Sequence, residues 1–92
     1  MKIFFRGKGS ISPYLPLKEY SMELQEHATL ADFYNQLSFQ LGDTFPSSIW
    51  NKEKKRFRDP VFIRSGKKIL RDDSEILLDG DNLVICMFVS GG

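Results

Sequence analysis

Apolar and polar positions along this chain switch between two periods. Near the start, Ile3, Phe4 and Phe5 lie between Lys2 and Arg6. This run of strong β-formers predicts a first strand. Gly7, Gly9, Ser10, Ser12, Pro13 and Pro16 then cluster, the composition of a loop. Tyr20, Met22 and Leu24 alternate with Ser21, Glu23 and Gln25. Period 2 predicts a second strand with one face to the core, paired with the first. The period then changes. Leu30, Phe33, Tyr34, Leu37 and Leu41 make a single stripe at helical spacing. Thr29 precedes it and Asp32 follows three residues on, a capping-box variant. Gly42 predicts a left-handed stop.

Residues 43–60 carry no clear period. Pro46 and Ser47-Ser48 interrupt them, Ile49 and Trp50 are apolar islands, and Lys52 to Arg58 holds five basic residues against one acid. Val61, Phe62 and Ile63 predict a short strand, Ser65-Gly66 a turn and Lys67 to Leu70 the returning strand. Asp72 to Glu75 is an acidic connection. Asp79-Gly80-Asp81 is a tight turn in which Gly80 is free to take positive φ. Asn82 to Phe88 is the most β-prone segment, and an unbroken apolar strand of this kind lies inside a sheet with neighbours on both sides. Val89-Ser90-Gly91-Gly92 predicts a mobile tail.

One helix among about five strands predicts an α+β domain with the helix packed on one face of a mixed sheet. The first and last strands are expected as parallel central neighbours. Alternation places Ile3, Phe5, Leu83 and Ile85 under the helix with Leu30, Phe33 and Leu37. Phe4, Ile63, Val84, Cys86 and Phe88 are then expected on the opposite face, where a bare apolar patch would read as a docking site. The competing expectation is that Phe45, Ile49, Trp50 and Phe57, or the loop at 11–19, fold over that face.

Composition narrows the chemistry. The chain has 92 residues, 41% hydrophobic and 27% charged, ordinary values for one globular domain. Thirteen basic residues against twelve acidic ones leave +1, which excludes a strongly polybasic binder. Cys86 is the single cysteine and His27 the single histidine, too few for a disulfide or a zinc site. The longest apolar run, Leu83 to Val89, is seven residues, far short of the ~18 of a membrane span. Lys2 is followed by only three apolar residues, unlike a signal peptide. A cytoplasmic setting, no membrane and no bound cofactor are expected. No CxxC, HExxH, Walker-type glycine loop or GxSxG occurs. Asp72, Asp73, Glu75, Asp79 and Asp81 lack EF-hand spacing and read as turn residues. The Lys52–Arg58 stretch lacks a wider basic field, so it reads as a solvated loop and no nucleic-acid partner is expected.

The end of the sequence is the remaining candidate. Gly91 and Gly92 directly follow a predicted strand. Without Cβ atoms they can pass a narrow channel and carry the Gly92 carboxylate into another protein. Four residues from Val89 reach at most ~14 Å when extended. A carboxylate must first be activated, for example as an acyl-adenylate, before a sulfur or amine nucleophile can attack it.

A strand-strand-helix-strand chain closing in Asp79-Gly80-Asp81-Asn82-Leu83-Val84-Ile85 and Val89-Ser90-Gly91-Gly92 resembles the MoaD/ThiS sulfur carriers, small subunits of molybdopterin synthase and their thiazole-pathway relatives. Met1-Lys2-Ile3-Phe4 and the Gly66-Lys67-Lys68 turn are also similar to ubiquitin. The resemblance implies the ubiquitin-like β-grasp fold over residues 1–88 and a Gly-Gly tail over 89–92. It implies an E1-like enzyme that uses ATP to adenylate Gly92, conversion to a thiocarboxylate, and a large partner subunit that receives the sulfur. On that basis Gly92 bears the sulfur and Gly91 supplies steric clearance. Phe4, Ile63, Val84, Phe88, Val89 and Ser90 would meet the partners. The sequence departs from the family in Cys86-Met87-Phe88, where prolines are frequent, and in the long 43–60 segment. Conjugation to lysines through Gly92 and a non-reactive β-grasp binding module are the alternatives.

Overall fold

The computed structural model describes residues 1–87. Strand β1 (Lys2–Gly7) pairs antiparallel with β2 (Tyr20–Glu23), joined by a loop that contains a 3-10 segment at Gly9–Tyr14. Helix α1 (Leu30–Leu41) follows, then a second 3-10 turn at Gly42–Thr44. Two short strands, β3 (Trp50–Asn51) and β4 (Arg56–Phe57), form a separate hairpin. The chain then enters β5 (Val61–Ser65), β6 (Lys68–Leu70) and β7 (Asn82–Met87). The five long-range strands lie in the order β2-β1-β7-β5-β6. β7 occupies the centre, parallel to β1 and antiparallel to β5. This is the α+β, ubiquitin-like β-grasp architecture that the hydrophobic pattern and the resemblance led us to expect.

The helix start has its physical cause in Thr29 and Asp32. The Thr29 hydroxyl accepts from the Asp32 N–H, and the Asp32 carboxylate accepts from the Thr29 N–H at 2.8 Å. This is the reciprocal capping box. The next donors, the N–H groups of Leu30 and Ala31, go to the carbonyls of Glu75 and Asp73. The acidic connection therefore runs across the helix N-terminus and satisfies groups a helix leaves unpaired.

Gly42 corrects the expected left-handed stop. Its φ of −54° and ψ of −37° are right-handed, and the chain coils on into the 3-10 turn. Space is what its lack of a side chain serves here. A Cβ would lie 3.3 Å from Ser38 Oγ and 3.6 Å from Trp50 Nε1. Gly80, with φ of +83°, and Gly66, with φ of +59°, do occupy the left-handed region in their turns.

The core lies between α1 and one face of the sheet. Ile3, Phe5, Leu30, Phe33, Leu37, Leu83 and Ile85 are all essentially inaccessible. Segment 43–60 extends this core sideways. Trp50 is 2% exposed and packs its ring against Phe45, Phe57 and Tyr34, with centroids 5.2, 5.0 and 6.2 Å away. Ile11 and Leu15 of the first loop also reach the core, beside Gly7. The buried apolar residues of both segments thus join the core beneath the helix.

Candidate functional site

Two features carry the functional argument: the exit of β7 and the sheet face opposite the helix. Strand order and turn chemistry fix the first. At the start of β7, the Asp79-Gly80-Asp81 turn is bonded to β1 on the backbone and through a side chain. Lys2 N–H donates to Asp79 Oδ1 at 2.8 Å, Gly80 N–H to the Lys2 carbonyl at 2.7 Å, and Phe4 N–H to the Asp81 carbonyl at 2.8 Å. Asp81 Oδ2 also accepts from Leu78 N–H at 2.8 Å. At the far end, Lys8 N–H donates to the Ile85 carbonyl at 2.9 Å, and Val61 is the register partner of Met87. β7 is thus held by β1 over Asn82–Ile85 and by β5 over Leu83–Met87, with strands on both sides of its middle. Met87, the last described residue, stands at the end of the sheet where β1 finishes and β5 begins. The candidate residues Phe88, Val89, Ser90, Gly91 and Gly92 lie outside the described residues.

Register decides which side chains share the outer face. Phe4 opposes Asn82, Arg6 opposes Val84, Val84 opposes Arg64, and Phe62 opposes Cys86. Phe4, Phe62, Val84 and Cys86 therefore stand on one face with Arg6 and Arg64. Ile63 does not. It pairs with Ile85 and Leu70, is 1% exposed and belongs to the core beneath the helix. The expected docking role of Ile63 is corrected accordingly: Phe62, its neighbour of opposite parity, takes that position.

The face is also less bare than expected. Val84 and Cys86 are 7% and 9% exposed, and Phe4 and Phe62 are half-buried. Phe45, Ile49, Trp50 and Phe57 of segment 43–60, and Ile11 and Leu15 of the loop at 11–19, belong to the core cluster beneath the helix. Arg6 and Arg64 flank Val84 in one cross-strand row, and long arginine stems cover apolar surface. Arg64 Nε is buried without a hydrogen-bond partner among the described residues. The result is a narrow apolar strip edged by two cations. Cys86 is a buried free thiol within it.

The remaining candidates resolve into structural roles. Asp72 caps Ser74, Asp73 pairs with Arg56, and Glu75 pairs with Lys68 at 2.8 Å. These contacts match turn and connection chemistry. The basic stretch is similarly tied down. Lys52 faces Asp43 at 3.5 Å, Arg58 Nε donates to the Ser47 carbonyl at 2.9 Å, and Arg56 stacks over Tyr34 at 5.0 Å. Burial pushes the Tyr34 hydroxyl up to about 12, against an opposing effect of Arg56. His27 is exposed in a left-handed turn position with φ of 65°. Among the described residues no helix is long and apolar enough to cross a membrane.

No protein-family model matches the sequence, and no curated protein sequence matches it significantly. Solved structures do match over the whole chain. SAMP1 from Haloferax volcanii superposes with a TM-score of 0.78 at 15% identity, covering 100% of both chains. Another structure of the H. volcanii small archaeal modifier protein 1 gives 0.74 at 12% identity, with 96% of this chain and 98% of that one covered. A Pyrococcus furiosus protein assigned as molybdopterin converting factor subunit 1 gives 0.70 at 17% identity over 97% and 99%. The chain shares one complete fold, the ubiquitin-like β-grasp, with an archaeal modifier and a molybdopterin converting factor subunit.

Proposed function

We propose that this protein is a carrier whose reactive group is its own C-terminal carboxylate, at Gly92, and that its cargo is sulfur. The reading rests on the conjunction of a β-grasp body with a Val89-Ser90-Gly91-Gly92 end placed directly after the central strand β7. An E1-like enzyme would join the Gly92 carboxylate to the AMP moiety of ATP, releasing pyrophosphate. A sulfur nucleophile would then attack the carbonyl and expel AMP, leaving a thiocarboxylate. The glycines suit a narrow active-site channel in the activating enzyme and again in a large partner subunit. Delivery to molybdopterin is the favoured destination, supported by the match to the P. furiosus protein. The strip of Phe4, Phe62, Val84 and Cys86, with Arg6 and Arg64, is the surface we assign to the activating enzyme.

A second reading has its own support. Two of the similar structures are of small archaeal modifier proteins. The same acyl-adenylate attacked by a lysine amine would give an isopeptide conjugate instead. Both readings share the activation step and part at the nucleophile.

Intact-mass measurement separates them. With an E1-like enzyme, ATP and a sulfur donor, sulfur loading adds about 16 Da as one oxygen is exchanged for sulfur. Conjugation produces larger adducts on acceptor proteins. A chain that shows neither, alongside a homologous carrier that is loaded in the same reaction, overturns the proposal.

A further inference from the structure

A trough of about 530 Å³ lies between the β3–β4 hairpin and the β5–β6 hairpin, beside the helix; of the strip just described it shares Phe62, at its border, and not Phe4, Val84 or Cys86. Its floor is apolar, built from Leu30, Phe57 and Leu70. Its rim is arginine: Arg56, Arg58 and Arg71, against Asp59 as the acid in the lining. Arg56 is committed to Asp73 and the Tyr34 ring, and so forms a fixed wall. Arg58 donates through Nε to the Ser47 carbonyl, and its terminal nitrogens make no ion pair or hydrogen bond among the described residues, which leaves them able to receive a carboxylate. Arg71 is exposed and has no carboxylate partner among the described residues. Alongside runs β6, which stands at the margin of the sheet with β5 on one side and, among the described residues, no strand on the other.

We propose that this trough receives an extended peptide segment of another protein, one that carries Asp or Glu next to aliphatic side chains and adds to the β6 edge. An unpaired strand offers main-chain donors and acceptors to an incoming strand, and adjacent pockets select its side chains. Charge chooses the occupant. Lys68, the first residue of β6, is paired with Glu75, so Arg71 just after the strand supplies the uncompensated charge. It repels the same edge of a second copy of this chain, whereas a carboxylate-bearing segment meets Arg58 and Arg71 and forms charge-assisted hydrogen bonds. The open trough suits a chain lying lengthwise better than an enclosed small ligand. This site is independent of the Gly92 chemistry.

The test uses the full chain and a fluorescein-labelled peptide of alternating valine and isoleucine flanked by glutamates. Saturable anisotropy change is expected, with backbone amide shifts centred on Arg58 and Ile69 to Arg71. Arg71→Glu should weaken binding about tenfold, the scale of one reversed charge pair. Arg71→Ala, a gentler change, should have a smaller effect in the same direction, with both variants melting like the parent. Removing Gly91 and Gly92 should leave the affinity unaltered. The proposal fails if the peptide does not saturate, if a lysine-flanked version binds equally well, if Arg71→Glu has no effect, or if the shifts gather on Phe4 and Val84.

Discussion

Replacing Ile63 and Phe4 separately by alanine tests whether stability and docking reside on opposite faces of one sheet. Ile63 is 1% exposed and sits between Leu70 and Ile85 in register. Ile63→Ala deletes three buried carbons. At ~0.8 kcal/mol each the transfer loss is about 2.4 kcal/mol, and the cavity left behind raises it to about 3 kcal/mol. For a domain of this size that lowers Tm by roughly 12–24 °C. Phe4 is half-buried and outside the core cluster, so Phe4→Ala should cost only about 1–2 kcal/mol, below the ~3–5 kcal/mol of a fully buried phenylalanine. Function should follow the reverse order. Measured well below both melting transitions, the rate of Gly92 adenylation by an E1-like enzyme, read as pyrophosphate release, should be near normal for Ile63→Ala. It should drop about tenfold for Phe4→Ala, as for the loss of one interface anchor. If Phe4→Ala proves the more destabilising, or Ile63→Ala alone impairs adenylation in the folded state, the assignment of faces is wrong.

Thr29→Ala removes the capping box and should lower stability by about 1 kcal/mol, read from urea denaturation. Gly42→Ala and Gly80→Ala should both destabilise, for different reasons. The first crowds Ser38 Oγ at 3.3 Å, which outweighs the gain in helix propensity at a right-handed position, for a net loss of about 0.5 kcal/mol. The second forces a Cβ into φ of +83° and should lose about 1 kcal/mol. Tyr34 should confer alkaline sensitivity. Its hydroxyl keeps its proton up to about 12 in the folded protein, while the unfolded chain releases it near 10. The native state then binds the extra proton, so stability is full below pH 10 and falls as pH rises towards 12. Denaturation midpoints at pH 9 and pH 11 should differ less in Tyr34→Phe than in the parent.

How much of this was legible in the sequence depended on whether one period controlled a segment. The stripe from Leu30 to Leu41 and the Thr29–Asp32 pair located the helix, because both signals are local to it. The apolar runs of β1 and β7 placed both strands centrally and in parallel. Val61-Phe62-Ile63 is three apolar residues in a row, and the polar residue that marks its outer side, Arg64, lies just beyond the run with the parity of Phe62. Pairing of Ile63 with Ile85 settles that parity. The β3–β4 hairpin was hidden for a different reason. Each strand is two residues long, too short for any period, and ring packing among Trp50, Phe45, Phe57 and Tyr34 holds it. Gly42 misled because glycine serves two needs, positive φ and clearance, and composition does not say which. The arginines that edge the outer strip were individually visible, but their placement either side of Val84 emerges only from two strand registers at once.

Placing β7 in the middle of the sheet has a consequence for synthesis and quality control. During translation β1 and β5 are made well before the strand that must separate them, and until it arrives each presents an unsatisfied flank. A product broken off ahead of Asn82 cannot close its sheet and exposes two sticky borders in place of one seam. Such fragments should be conspicuous to chaperones and proteases. The arrangement therefore couples the completion of folding to the segment that leads into the proposed carrier end, so that a body with a closed sheet is one whose final strand has already been delivered.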